Sequence, residues 1–410
     1  MHDVLPSEMP KWHFLENRFR TLVNRYGYEE IRTPIVEPLE LFVRGIGDST
    51  DIVEKEMYAF EDKGNAQLAL RPEGTASVVR SFLQHNFENL SPVSKLYYLG
   101  PMFRRERPAK GRYRQFYQAG VELMGISEAT ADAEVISMAV QFVEELGIEN
   151  VQVQINSLGD KEDRPKYREA LVDFLSEKKE VLCSDCSRRL QMNPLRVLDC
   201  KVPQCIDAVS GSPSVLEFLS EDSQHHFEEL KEYLKLLGVS FTVNPQMVRG
   251  LDYYTRTIFE LQGAGDLLGA QSTIVGGGRY NGLVKQLGGR DTATIGFAFG
   301  IERLLLLLGD SAGQETRKTV FVAGVGEGDA ERAIVIGHML RKAGLNVEVP
   351  YRQGSLRAQL KRADKSGASV AVIAGEEEYA RNAVMLRDLQ SGEQKEVGME
   401  ILPEKIRELL

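Results

Sequence analysis

Phe103-Arg104-Arg105-Glu106-Arg107-Pro108-Ala109-Lys110-Gly111-Arg112-Tyr113-Arg114 is a basic loop, and it runs directly into Gln115-Phe116-Tyr117-Gln118-Ala119-Gly120-Val121-Glu122-Leu123. The loop sets Arg104, Arg105, Arg107, Lys110, Arg112 and Arg114 against one acid, Glu106. A charge run is ordinarily a solvated face. One this dense, broken by Pro108 and Gly111 and flanked by apolar strands, suits a polyanion better. In the strand that follows, alternate residues share a face. Phe116, Gln118, Gly120 and Glu122 lie on one side; Tyr117, Ala119, Val121 and Leu123 lie on the other. A carboxylate and an amide are costly in a core, so the first face reads as the wall of a binding site. It offers an aromatic plate, a gap and an acid, which suits a flat ring joined to a cationic group. A sheet with one wet face is the plainer alternative.

Three other stretches have the same character. Residues 68–75 read as a strand with Arg71, Glu73 and Thr75 on one face, its ladder limited by Pro72 and Gly74. Residues 294–300 put Gly296, Ala298 and Gly300 on one face and Ile295, Phe297 and Phe299 on the other, leaving the front bare for something planar. Gly300-Ile301-Glu302-Arg303 then opens a helix whose first turn holds an arginine, and its place beside the bare strand favours a phosphate or base contact. Val248-Arg249-Gly250-Leu251-Asp252-Tyr253-Tyr254 and Gly276-Gly277-Gly278-Arg279-Tyr280-Asn281-Gly282 set arginines and tyrosines between glycines, as cleft linings do, although turn chemistry alone also explains the glycines.

Around these stretches the chain is long enough, at 410 residues, for two or three domains. With 42% hydrophobic and 27% charged residues the composition is that of a globular protein, which excludes a disordered or fibrous chain. The longest conspicuous apolar run, residues 304–308, is far short of the roughly 18 residues of a membrane span. Four cysteines are too few for a disulfide scaffold, and Met1-His2-Asp3-Val4-Leu5-Pro6 lacks a secretory pattern, so a cytoplasmic location without membrane association is expected. The net charge of −10 argues against coating nucleic acid by bulk attraction but leaves room for local basic sites.

The periodicity predicts a helix over residues 10–26, strands over 96–103 and 115–123, and a helix over 129–146. Residues 160–240 read as a charged helical insert, after which strands resume at Phe241. A polar linker, residues 309–315, separates this larger portion, residues 1–312, from a smaller domain, residues 318–410, of strand–helix alternation. The fold class expected is α/β: an α+β domain with an antiparallel sheet and an inserted small domain, then a C-terminal α/β domain. Gly324-Val325-Gly326-Glu327-Gly328 invites a dinucleotide reading, but its sixth position is Asp329, so a plain strand-to-helix turn is preferred.

The arginine loop with its strand, and Gly300-Ile301-Glu302-Arg303, resemble the second and third signature motifs of class II aminoacyl-tRNA synthetases. Residues 28–47, with Pro34, resemble the first motif, which in that family forms the dimer interface, and their apolar Ile31, Ile35, Leu39, Leu41 and Phe42 suit an extended, buried interface strand. Arg249-Gly250-Leu251-Asp252-Tyr253-Tyr254, Gly278-Arg279-Tyr280-Asn281-Gly282 and Leu70-Arg71-Pro72-Glu73-Gly74-Thr75 are similar to signatures of the histidyl branch of the family.

The resemblance implies ATP-dependent attachment of L-histidine to histidine tRNA through an adenylate, with Mg²⁺ on the phosphates, by a homodimer. It implies that Arg104 binds the α-phosphate, Glu106 the adenine amino group and Arg112 the γ-phosphate, with Phe116 and Arg303 on either side of the adenine. Glu73, Thr75 and Gln118 would hold the α-amine of histidine. Glu122 and Tyr254 would read its ring nitrogens, and Tyr253 and Tyr280 would line the pocket. Arg249 and Arg104 would be the catalytic arginines, Arg249 bridging the carboxylate and the α-phosphate. The residues after the linker would bind the anticodon, using Arg357, Lys361, Arg362 and Lys365 of a helix whose Leu356, Leu360 and Ala363 face its core. The non-catalytic regulatory subunit of ATP phosphoribosyltransferase shares this fold, and is the alternative from another class.

Cys183-x2-Cys186-x13-Cys200-x4-Cys205 could hold a structural zinc ion in the insert; reduced structural cysteines would explain the spacing as well. Two departures stand out. The family usually opens with Arg-Gly-Thr before Asp-x-Leu-Pro, where this chain has Met1-His2-Asp3, so a truncated or altered N-terminal tether is expected. Ala109 stands where the family often has Gln, so acceptor-end reading should differ in detail.

Overall fold

The structure, a computed structural model, describes residues 2–47, 50–106, 110–263, 272–309, 312–313, 318–351 and 354–410. The chain forms two compact units, Met1–Gln314 and Glu315–Leu410.

In the first unit, eight strands among the described residues form one sheet. Their spatial order is Glu29–Glu30, Ser94–Phe103, Gln115–Met124, Thr294–Gly300, Thr273–Arg279, Thr255–Gly263, Val151–Ser157 and Phe241–Val243. The outermost pair at each end is parallel and every pairing between them is antiparallel. Alternate residues of an antiparallel strand face opposite sides, and in Gln115–Met124 the two sides pack against different cores. Ala119, Val121 and Leu123 are buried with Phe297 and Phe299 against helices Met9–Arg25, Ala129–Glu145 and Glu221–Leu236. The opposite face meets a second core that includes Tyr98, Tyr253, Tyr254 and Tyr280.

Two expectations change here. Residues 68–75 are not one strand: Gln67–Leu70 pairs in a separate three-stranded sheet, and Thr75 already begins helix Thr75–Gln84. Pro72 cannot donate to a ladder, and the buried Glu73 carboxylate accepts hydrogen bonds from the backbone N–H of Thr75 (2.7 Å) and Ala76 (2.8 Å), which favours a helix start over a strand. Nor is the segment 28–47 one extended strand. Leu39–Ile46 is a helix that buries Leu41, Phe42 and Ile46 in its own small core, while Ile35 and Val36 stay exposed.

Within residues 160–240, a separate small core runs from Tyr167 to Val215 and includes Cys186, Cys200 and Cys205. Helix Glu221–Leu236 instead joins the large core through Phe227, Leu230 and Leu234. The second unit is a five-stranded sheet in the order Val347–Glu348, Val320–Gly324, Val370–Ala374, Ala383–Asp388, Gln394–Gly398. Its helix Leu356–Lys365 is capped by the Ser355 hydroxyl, buries Ala363 and exposes Arg357, Lys361, Arg362 and Lys365. The same helix buries Gln359, whose amide hydrogen-bonds both the N–H and the carbonyl of Gly324. No helix among the described residues is long and apolar enough to cross a membrane.

Candidate active site

On the face that meets the second core, the buried Glu122 pairs across the ladder with Gly296. A Cβ at Gly296 would collide with the Glu122 carboxylate, so the bare strand first makes room for a side chain of its own sheet. Thr75 donates its hydroxyl to Glu122 Oε1 at 2.7 Å, and Tyr280 donates its hydroxyl to Oε2. Burial pushes the Glu122 carboxyl up to about 8, against the two hydroxyl bonds, which favour the anion. The walls are aromatic. Tyr253 packs on Tyr254 (centroids 4.8 Å apart) and edge-on to Tyr280 (5.6 Å). Gln118 is half-buried, and its Oε1 is buried without a hydrogen-bond partner, an acceptor aimed at something the protein itself does not supply.

Arg249 lies against this wall, its guanidinium carbon 5.9 Å from the centre of the Tyr254 ring. It pairs with Glu260, whose carboxylate also accepts from Thr273 (2.6 Å) and Gln262 (3.3 Å). Glu260 is the ladder partner of Gly276, and a Cβ at Gly276 would strike the Arg249 guanidinium. The glycine run is thus the cradle of the arginine. Asp252 is held by Arg196 (3.3 Å) and Asn193 (3.0 Å), so Arg249 does not depend on Asp252 for its place.

The basic loop sits further along the same face. Arg104 donates from Nε to the carbonyl of Pro72 at 2.8 Å and lies 5.4 Å from the Phe116 ring centre. Glu106 is shared by Arg112 (3.0 Å) and Arg104 (3.7 Å). Arg303 packs beside Gly111, where a Cβ would come within 3.3 Å of its Cγ. Arg105, Lys110 and Arg114 are exposed, and Arg107 and Ala109 lie outside the described residues.

One continuous set of contacts therefore joins Arg249, Tyr254, Tyr253, Tyr280, Glu122, Thr75 and Glu73, and a second joins Phe116, Arg104, Glu106 and Arg112. Two motif arginines turn elsewhere. Arg279 is fully buried on a pair with Asp132 at 2.5 Å, and Arg71 bonds the carbonyls of Pro101 and Thr33. Sequence reasoning missed Tyr98, Glu260 and Arg196. Tyr98 packs in the aromatic core facing Gly120, its register partner, and that register was the signal that could not be read in advance.

A cleft with one arginine over a tyrosine-walled carboxylate pocket and a second arginine group beside an aromatic plate, built on an antiparallel sheet, is the architecture of a class II amino-acid-activating enzyme. The comparisons make it particular. Residues 1–304 match the family model described as "Histidyl-tRNA synthetase", and residues 319–409 match "Anticodon binding domain". The histidine–tRNA ligase of Syntrophotalea carbinolica is 47% identical over 408 residues, covering 100% of this chain and 97% of that protein. The structure of apo S. aureus histidyl-tRNA synthetase superposes with a TM-score of 0.83 at 37% identity, covering 99% of this chain and 98% of that one. A Bacillus halodurans C structure titled as an ATP phosphoribosyltransferase regulatory subunit/histidyl-tRNA synthetase shares the fold, with a TM-score of 0.66 at 22% identity, over 92% of this chain and 97% of that one. The chain belongs to the histidyl-tRNA synthetase family.

Proposed function

We propose that this chain joins L-histidine to the terminal ribose of histidine tRNA in two steps, activation by ATP and transfer, and that the cleft just described carries out the first. The observation that supports this most directly is the buried Glu122 carboxyl between Thr75 and Tyr280, beside the packed rings of Tyr253 and Tyr254. Glu122 and Tyr254 read the two imidazole nitrogens, and Tyr253 and Tyr280 enclose the ring. A pocket built to bond both nitrogens rejects isosteres that leave its polar groups unpaired. Gln118 Oε1, with Thr75 and Glu73, takes the α-ammonium.

Arg104 and Arg249 hold the two anions that must meet. A histidine carboxylate oxygen attacks the α-phosphorus, the bond to the bridging oxygen breaks, and pyrophosphate leaves with that electron pair. Neither reactant needs a proton removed, so catalysis is positioning and charge stabilisation. Arg112 reaches the γ-phosphate, Glu106 the adenine amino group, and Phe116 and Arg303 take the ring between them. Glu260 is a cleft carboxylate that could share Mg²⁺ with the phosphates, one or two being the usual protein complement. The ion supplies charge neutralisation. In the second step a ribose hydroxyl attacks the acyl carbon, the bond from that carbon to the phosphoryl oxygen breaks, and AMP leaves with the electron pair while the hydroxyl proton passes to its phosphate or to water. The residues after the linker take the anticodon, the protein works as a homodimer, and its compartment is the cytoplasm.

Histidine-dependent ATP–pyrophosphate exchange tests the reading. Exchange with histidine and with no other amino acid is expected. A folded chain that binds histidine without exchange would favour the regulatory-subunit alternative.

A further inference from the structure

The insert carries a feature that histidine activation does not use. Cys183 and Cys186, at one helix start, and Cys200 and Cys205 come from three stretches of chain, yet their sulfurs all lie within 4.8 Å of one another. None of the four is in a disulfide, and Cys183 and Cys200 are 3.9 Å apart, about twice the roughly 2.05 Å of an S–S bond. Four ligands around a tetrahedral ion at a Zn–S length of about 2.3 Å stand about 3.8 Å apart. The backbone N–H of Cys183 donates to Cys205 Sγ at 3.2 Å, the kind of outer hydrogen bond that steadies a thiolate ligand. Cys186, Cys200 and Cys205 are buried and Cys183 is half-buried, so the set is closed, as structural sites are.

The surrounding elements are short: helices Ser184–Met192 and Pro203–Val209 and the turn Pro194–Val197. Helices of this length do not hold themselves in water. They nevertheless position part of the cleft. Arg196, in that turn, donates to the Gly250 carbonyl at 2.6 Å and pairs with Asp252, while Asn193 holds Asp252 from the preceding position. Arg249 is the neighbour of Gly250. On the helix Ser184–Met192, which Cys183 precedes, Arg188 and Arg189 reach Glu54 (2.8 Å) and Asp51 (2.6 Å).

We propose that Cys183, Cys186, Cys200 and Cys205 bind one structural Zn²⁺, which pins the Asn193–Arg196 turn and through it fixes the backbone that carries Arg249. An all-thiolate set of one-ion size fits zinc, which takes four thiolates and imposes no geometry of its own. The metal half stands by itself; the positioning half rests on the proposed role of Arg249.

The test uses the full chain, expressed with added zinc and purified without chelator. About one zinc per chain is expected by elemental analysis, and Cys186→Ser and Cys200→Ser should each lose it. Cobalt replacing the zinc should give the intense thiolate charge-transfer and d–d bands of a tetrahedral S₄ site, a readout that needs no mutation and no activity. Zinc well below one per chain with cobalt giving no such bands, or stoichiometric iron in its place, overturns the site. For positioning, Arg196→Ala should keep its zinc yet lower kcat for pyrophosphate exchange at least tenfold, with KM for ATP little changed. Chelated wild-type protein should show the same pattern and recover on zinc addition. Unchanged kcat in both, with zinc lost from the chelated sample, overturns the positioning claim and leaves the metal site standing.

Discussion

Arg249 and Glu122 show how one residue's chemistry is set by a neighbour that has no side chain. Gly276 admits the Arg249 guanidinium against the sheet, and Gly296 admits the Glu122 carboxylate. Arg249→Ala is expected to lower kcat for pyrophosphate exchange by about 10²–10³ with little change in KM, because it removes a donor whose partner charges converge only in the transition state. Gly276→Ala should mimic it in a folded protein, since the new methyl occupies the guanidinium's place; normal kcat in the Gly276→Ala enzyme would count against the cradle. Glu122 carries a stability signature. Its folded value of about 8 exceeds the ordinary 4.5, so the native state holds a proton that the unfolded chain has released between those values. Stability should therefore be greatest below about pH 4.5 as far as this group is concerned, and fall as pH rises toward 8. Glu302, pushed up to about 7 by burial, acts in the same direction. Glu122→Gln should flatten the decline in urea-unfolding free energy between pH 5.5 and 8, and an unchanged slope would refute the assignment.

At the scale of elements, the informative case is residues 71–76. Alternation reads Arg71, Glu73 and Thr75 as one strand face, but they part company: Arg71 is buried structurally, Glu73 satisfies helix N–H groups, and Thr75 reaches Glu122. Burial raises Glu73's pKa while its backbone hydrogen bonds oppose that. Glu73→Ala is expected to destabilise the chain by about 0.5–2 kcal/mol, the usual cost of losing an N-terminal cap, and to raise KM for histidine by shifting Thr75. Equilibrium unfolding and exchange kinetics on the same preparation check both. The strands Gln115–Met124 and Thr294–Gly300 divide their side chains as their alternation said, because each packs one face on the large core and a one-residue slip would move it away.

For the whole molecule, the exposed apolar residues Ile35, Val36 and Phe60, each 41–42% accessible on the small three-stranded sheet and the turn beside it, are the surface a second copy would cover. Light scattering at micromolar concentration should give a dimer, and Val36→Asp should shift it toward monomer; a monomeric wild type would sink the proposal. Each unit has its own core, so a chain ending near Gly313 should fold, keep pyrophosphate exchange and lose most aminoacylation. Equal loss of both in a folded truncation would argue that the second unit serves the chemistry itself.

Local physics let the sequence decide a good deal. The helix over residues 10–26, the two central strands, the polar break near residue 312 and the residue types of the cleft all follow from period, charge and backbone restrictions that act within a few positions. The signature motifs supplied the family. What tertiary structure alone decided was which partner each group found. Gly278-Arg279-Tyr280 sends its tyrosine to Glu122 and its arginine to Asp132 on the other side of the sheet. Glu260 holds Arg249 across ladder register, and four cysteines spread over 23 residues close on one point. Such pairings depend on strand register and chain crossings between distant segments, and a charge or a thiol in sequence carries no record of the neighbour that will satisfy it once buried.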